Sequence, residues 1–94
     1  MSKQETDSSE IKFLKSIFIF ERFSIAFSKN TEINKTQLQL QSRLCWNLFN
    51  KYLDLFLRKG FIQCRKDGRV ENYSLTESGI KFFNILNVFL GCIK

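Results

Sequence analysis

A small, mainly α-helical domain carrying one β-hairpin, in the order helix, helix, helix, hairpin, helix, is what the 94-residue sequence predicts. Three observations point to it. Apolar residues recur at helical spacing as far as Lys59, and the spacing changes to strand-like alternation at Phe61. Helical spacing returns after Thr76. A chain of this length is one domain and buries only about 60–65% of its unfolded surface. Yet 44% of its residues are hydrophobic and eleven are Phe. That surplus predicts either an unusually aromatic core or burial against a second copy of the chain.

The elements follow in order. Residues 1–8 are polar and read as a disordered tail, leaving one domain over 9–94. Ser8 or Ser9 can cap a first helix, which Ile11, Leu14, Ile17 and Phe18 carry to about Phe27. Phe13, Ile19, Phe20 and Phe23 widen its apolar stripe, so it should be covered on more than one side. Residues 28–31 read as a loop. Asn34 caps a short helix over 35–41 containing Leu38 and Leu40, and 42–44 form a compact break. A further helix over 45–59 places Phe49, Tyr52, Leu53, Phe56 and Leu57 on one face and stops at Gly60. The pair is a helix-turn-helix. Alternation over 61–65 and 70–75 around Asp67-Gly68 gives a hairpin, read as setting Lys66 opposite Arg69 and Ile62 near Tyr73. Thr76-Glu77-Ser78-Gly79 then caps a last helix over 77–93, again apolar on more than one face.

Charge placement narrows the function. The net charge is +6, and residues 1–34 and 70–94 are each neutral. The whole excess lies in 35–69, where Lys35, Arg43, Lys51, Arg58, Lys59, Arg65, Lys66 and Arg69 face only Asp54 and Asp67. Such concentration points to a polyanion partner. With no His, no Gly-rich phosphate loop and no acid cluster, the sequence offers no catalytic constellation and no cofactor site. Cys45, Cys64 and Cys92 lack zinc-ligand spacing and a disulfide framework, and read as small buried residues in a reducing compartment. The start MSKQETDSSE is no signal peptide and no apolar run spans a bilayer. The expected location is the cytoplasm, on the nucleoid, without membrane or small-molecule partners.

The run KTQLQLQSRLCWNLFNKYLDLFLRKGFI (35–62), followed by YSLTESGIKFF (73–83), resembles a family of archaeal winged helix-turn-helix proteins. Lys35, Thr36, Leu44, Tyr52, Leu53, Leu57, Gly60, Ile62, Leu75, Thr76 and Gly79 stand at matching positions, without a gap in 35–62. That family includes predicted transcriptional regulators and the ten-kilodalton dimeric chromatin proteins of Sulfolobus. Small archaeal plasmid-partition proteins use a similar fold. The resemblance covers about half the chain and implies a winged helix-turn-helix fold, an archaeon or its plasmid or virus as source, and double-stranded DNA as partner. Two departures stand out: Cys45 replaces the usual Ser at a helix cap, and Arg43 replaces the usual Asn in the turn. The last helix also stops at Lys94, whereas the chromatin proteins extend theirs into a coiled coil.

Specific residues follow from these readings. A helix in the major groove reads bases through outward side chains near its N-terminus. Here those are Trp46, Asn47, Asn50 and Lys51, with Trp46 alternatively a plug between helices. Lys35, Thr36 and Gln37 at a helix start, with Arg43 in the turn, suit the DNA backbone. Arg65, Lys66 and Arg69 on the wing suit the backbone or minor groove, or merely keep the hairpin soluble. Phe13, Ile17, Phe20, Phe82, Ile85, Leu86 and Phe89 on the terminal helices are the expected homodimer surface. A homodimeric transcriptional regulator is the leading expectation. A DNA organiser that spreads along DNA and a protein-interaction module are the alternatives.

Overall fold

A computed structural model describes residues 8–93, with side chains from 12 to 92. The elements are α1 (Ser8–Ser28), β1 (Ile33–Asn34), α2 (Lys35–Ser42), α3 (Trp46–Arg58), β2 (Ile62–Asp67), β3 (Val70–Leu75) and α4 (Glu77–Ile93). Of the expected N-terminal tail, residues 1–7 lie outside the described residues, and Ser8 already opens α1.

Local chemistry sets most boundaries. Asn34 caps α2 by accepting the Gln37 amide at 2.8 Å. Thr76 caps α4 by accepting the Gly79 amide at 3.0 Å. Gly60, at φ +78°, ends α3 in the left-handed region that glycine enters without strain. Cys45 occupies the cap of α3 but makes no side-chain cap hydrogen bond, as the loss of a hydroxyl implies. Gly79 has a second duty. A Cβ there would lie 1.9 Å from the Phe61 carbonyl oxygen, so only glycine lets the start of α4 press against the start of β2.

Two readings of the sheet need correction. The sheet has three antiparallel strands in the order β1-β3-β2, so β3 is central. Between the expected loop at 28–31 and α2 lies an unexpected strand, β1, which pairs Ile33 with Tyr73 and Asn34 with Asn72. Two residues are too few to show alternation. The hairpin is also offset: Asp67 faces Val70, Lys66 faces Glu71, and Ile62 faces Leu75. Arg69 therefore lies in the loop rather than opposite Lys66, and Cys64, not Ile62, is the direct partner of Tyr73. Gly68, at φ +66°, is the first of the two loop residues, the place a Gly-first hairpin turn requires. Because the side-chain repeat is two, Ile62 and Tyr73 still share the buried face.

The core is aromatic. Phe23 and Phe49 are both 0% exposed and stack with ring centroids 5.6 Å apart. Phe56 meets Phe20, Phe23 and Phe83 edge-on at 5.0–5.5 Å. Phe61, just before β2, stacks on Phe82 of α4 at 4.5 Å. Leu38, Leu53, Ile62 and Tyr73 complete the core from α2, α3 and the sheet. This core does not absorb the apolar surplus. Of the large apolar side chains exposed among the described residues, Phe13, Leu14, Phe18 and Ile25 lie on α1, and Ile80, Ile85, Val88 and Phe89 lie on α4. The molecule is also long, at 59 × 27 × 21 Å. Its radius of gyration is 14.9 Å, against roughly 12 Å for a compact domain of this length.

Candidate nucleic-acid interface

α3 carries the expected core face, and much of the rest of it is open. Phe49, Leu53 and Phe56 are buried, whereas Trp46, Asn47, Asn50, Lys51 and Asp54 are exposed. At about 100° per residue, Trp46, Asn50, Asp54, Asn47 and Lys51 sweep an outward arc of about 140°. Trp46 is not a core plug: it is 46% exposed, its ring edge-on to Phe49 at 5.6 Å. The indole is thus held at its base with an open flank. Asp54 is neutralised by Arg58 one turn on, at 2.8 Å. Lys51 lies 5.9 Å from the Tyr52 ring centroid, and the Tyr52 hydroxyl is within 3.0 Å of Ser16 Oγ, tying α3 to α1. Leu48, also exposed on α3, went unmarked in the sequence because its neighbours Phe49 and Tyr52 dominate the apolar pattern.

The turn before α3 is a rigid joint. Arg43 has φ 58° and ψ 37°, the one positive-φ residue other than glycine among the described residues. Its amide donates to the Gln39 and Leu40 carbonyls at 3.2 Å, and its carbonyl accepts Arg22 Nη1 at 3.1 Å. The Gln39 carboxamide donates to the Leu44 carbonyl, and buried Ser42 donates to the Gln39 carbonyl at 2.9 Å. With its backbone so held, the exposed Arg43 side chain projects from the turn. Arg22, Lys29 and Arg43 line one cleft there with Glu21. Arg22 and Lys29 were not distinguishable in the sequence, where they belong to an electrically neutral segment.

A second cleft joins the start of α2 to the wing loop. Lys35, Thr36 and Gln37 line it together with Arg69 and Glu71. Two regions identified separately in the sequence are therefore neighbours. The other wing cations are engaged: Arg65 pairs with Glu32 at 2.9 Å and Lys66 with Glu71 at 3.5 Å. Glu71 also accepts the Tyr73 hydroxyl at 3.3 Å. Burial, the Cys64 thiol and Glu71 together hold the Tyr73 pKa far above its ordinary value of 10.

The apolar face on the terminal helices also assembles. Phe13, Ile17 and Phe20 on α1 face Phe82, Ile85, Leu86 and Phe89 on α4 across one shallow groove. Its lining differs in depth. Ile17 and Leu86 are core residues forming the floor, Phe20 and Phe82 are half-buried, and Phe13, Ile85 and Phe89 are exposed.

The cysteines do not match expectation. Cys45, Cys64 and Cys92 are all exposed and free, because they lie at a helix start, on the wing and near the end of α4 rather than under the core. No group of His, Cys, Asp and Glu among the described residues could hold a metal ion. No helix among them is long and apolar enough to cross a membrane.

The pattern of the winged helix-turn-helix family matches residues 23–93. No curated protein sequence matches the chain. Sso10a-2, a DNA-binding protein from Sulfolobus solfataricus, superposes with a TM-score of 0.70 at 18% identity, over 82% of this chain and 79% of that one. A transcriptional regulator superposes with the same TM-score at 14% identity, over 95% of this chain and 78% of that one. A MarR family transcriptional regulator from Silicibacter pomeroyi gives 0.65 at 15% identity, over 90% of this chain and 64% of its own.

Proposed function

The chain belongs to the winged helix-turn-helix family, and from that premise we propose that it binds double-stranded DNA as a homodimer and regulates transcription. The observation that carries this reading is the open arc of α3. A helix face with Trp46, Asn47, Asn50 and Lys51 exposed sits inside the segment that holds the whole charge surplus. Asn can read adenine bidentately and Lys can reach guanine or a phosphate. The exposed Trp46 flank and Leu48 offer apolar surface for a thymine methyl. The cleft shared by Lys35, Thr36, Gln37 and Arg69 suits a phosphate, as does Arg43 in the turn. The wing, with Arg65, Lys66 and Arg69, then lies along the backbone or in the minor groove.

The groove between α1 and α4 is the proposed seat of a second copy. Ile85, Val88, Phe89 and Cys92 form an exposed stripe at i, i+3, i+4 and i+7, the spacing with which helices pack together. A two-fold dimer would set two α3 helices about 34 Å apart, matching an inverted repeat. The product would be an intracellular, non-enzymatic DNA-binding protein. The similarity to Sso10a-2 supports a second reading, a DNA organiser.

Selection of bound duplexes from a random pool, followed by footprinting, tests both. An enriched inverted repeat with a discrete footprint is the expected result. A footprint that lengthens with protein concentration would favour the organiser. Absence of salt-sensitive binding would favour a protein-interaction module instead.

A further inference from the structure

Two of the three wing cations already hold a carboxylate. Glu32 precedes β1 and reaches Arg65 at 2.9 Å from the far edge of the sheet. It can do so because Asn34, Asn72 and Arg65 share one row across the three strands, and Glu32 lies two residues before Asn34 on the same side. Glu71 stands directly opposite Lys66, 3.5 Å away, on the other face of the hairpin. Arg69, in the loop, carries no such partner among the described residues. The wing's three positive charges are therefore partly cancelled where they stand. All four paired side chains remain substantially exposed, at 66% and 37% for Arg65 and Glu32, and 72% and 41% for Lys66 and Glu71. Exposed pairs of this kind are weak, and a phosphate offers the same charge and acceptor geometry as a carboxylate.

We propose that Glu32 and Glu71 compete with DNA phosphate for Arg65 and Lys66, so that wing engagement is an exchange of carboxylate for phosphate. The proposal rests on the DNA-binding reading above. Neither acid need touch DNA; each lowers affinity by occupying the donor that DNA requires. Because the backbone carries no sequence information, the effect is the same on every duplex.

Fluorescence anisotropy of the full-length chain on a mixed-sequence duplex, at one fixed salt concentration, tests the exchange. Glu32→Gln and Glu71→Gln keep a carbonyl acceptor for neighbouring groups, including the Tyr73 hydroxyl, while removing the charge. Glu77→Gln, on the first turn of α4, measures what loss of any one negative charge does. Glu32→Gln and Glu71→Gln should each tighten binding about two- to fivefold beyond Glu77→Gln. The gain should vanish when Glu32→Gln is combined with Arg65→Ala, and when Glu71→Gln is combined with Lys66→Ala. Gains no larger than that of Glu77→Gln, or gains that persist in those double variants, would overturn the exchange while leaving DNA binding intact. Absence of any salt-sensitive DNA binding by the unaltered chain would remove the underlying reading, and the exchange with it.

Discussion

Arg43 is where sequence and geometry conflict most openly. A β-carbon in the left-handed region costs about 1–2 kcal/mol, and Gly or Asn would relieve part of it. The hydrogen bonds at this position use only its amide and carbonyl, so any residue but proline would keep them. A cation tolerated at a strained turn beside the α3 N-terminus agrees with the phosphate contact proposed for Arg43. Arg43→Asn should therefore raise the melting temperature by a few degrees. It should also weaken DNA binding on all sequences, with the salt slope shallower by about one contact. An unchanged slope in a salt titration would show that Arg43 does not meet a phosphate. Tyr73 gives a prediction of a different kind. Its raised pKa means that the folded chain holds the phenolic proton more tightly than the unfolded chain, where it leaves near pH 10. The stabilisation is complete below that pH and declines as pH rises through it. Urea midpoints should fall on going from about pH 9 to pH 11, and Tyr73→Phe should flatten that decline.

At the scale of elements, legibility followed the length and chemistry of each signal. α4 shows its bounds because Thr76 caps it and Gly79 admits Phe61, two local requirements that leave a fixed spacing in the sequence. The face of α3 shows because five apolar residues repeat over two turns. β1 does not, since pairing with β3 rather than its own composition makes it a strand. The hairpin register depended on which loop position Gly68 takes, a choice that Asp67-Gly68 alone leaves open. The ion pairs of the wing were beyond the sequence altogether, because Glu32 reaches Arg65 only after β1 has joined the sheet. Under the proposed function, α3 and the wing would divide labour in a measurable way. Asn50→Ala on α3 should flatten base preference, costing about 1–3 kcal/mol on the preferred site and little elsewhere. Lys66→Ala and Arg69→Ala on the wing should instead lower affinity on all duplexes alike, visible in a gel-shift titration. Equal loss on preferred and random duplexes for Asn50→Ala would remove α3 as the reader.

The whole molecule raises the question of why so much apolar surface stays open above a core this complete. Phe23, Phe49 and Phe56 are sealed without help from a partner, so the aromatic core is realised within one chain while apolar side chains stay exposed beside it. The side chains left over are concentrated on α1 and α4, in a molecule longer than a compact domain of its length. Net positive charge and apolar surface are separated, with the charge surplus in 35–69 and the exposed apolar groove between α1 and α4. That separation allows a test that leaves the domain itself untouched. Ile85 is 70% exposed and Val88 71%, so a charge at either position meets water rather than the core of the same chain. Ile85→Glu and Val88→Glu should keep the folded domain, as read by circular dichroism. They should convert a sedimenting dimer into a monomer at micromolar concentration. The unaltered chain should melt higher as its concentration rises, and the variants should lose that dependence, because association stabilises only the folded state. With one α3 per particle, affinity for an inverted repeat should fall towards that for a single half-site. If the unaltered chain sediments as a monomer at these concentrations, the groove between α1 and α4 does not bind a second copy.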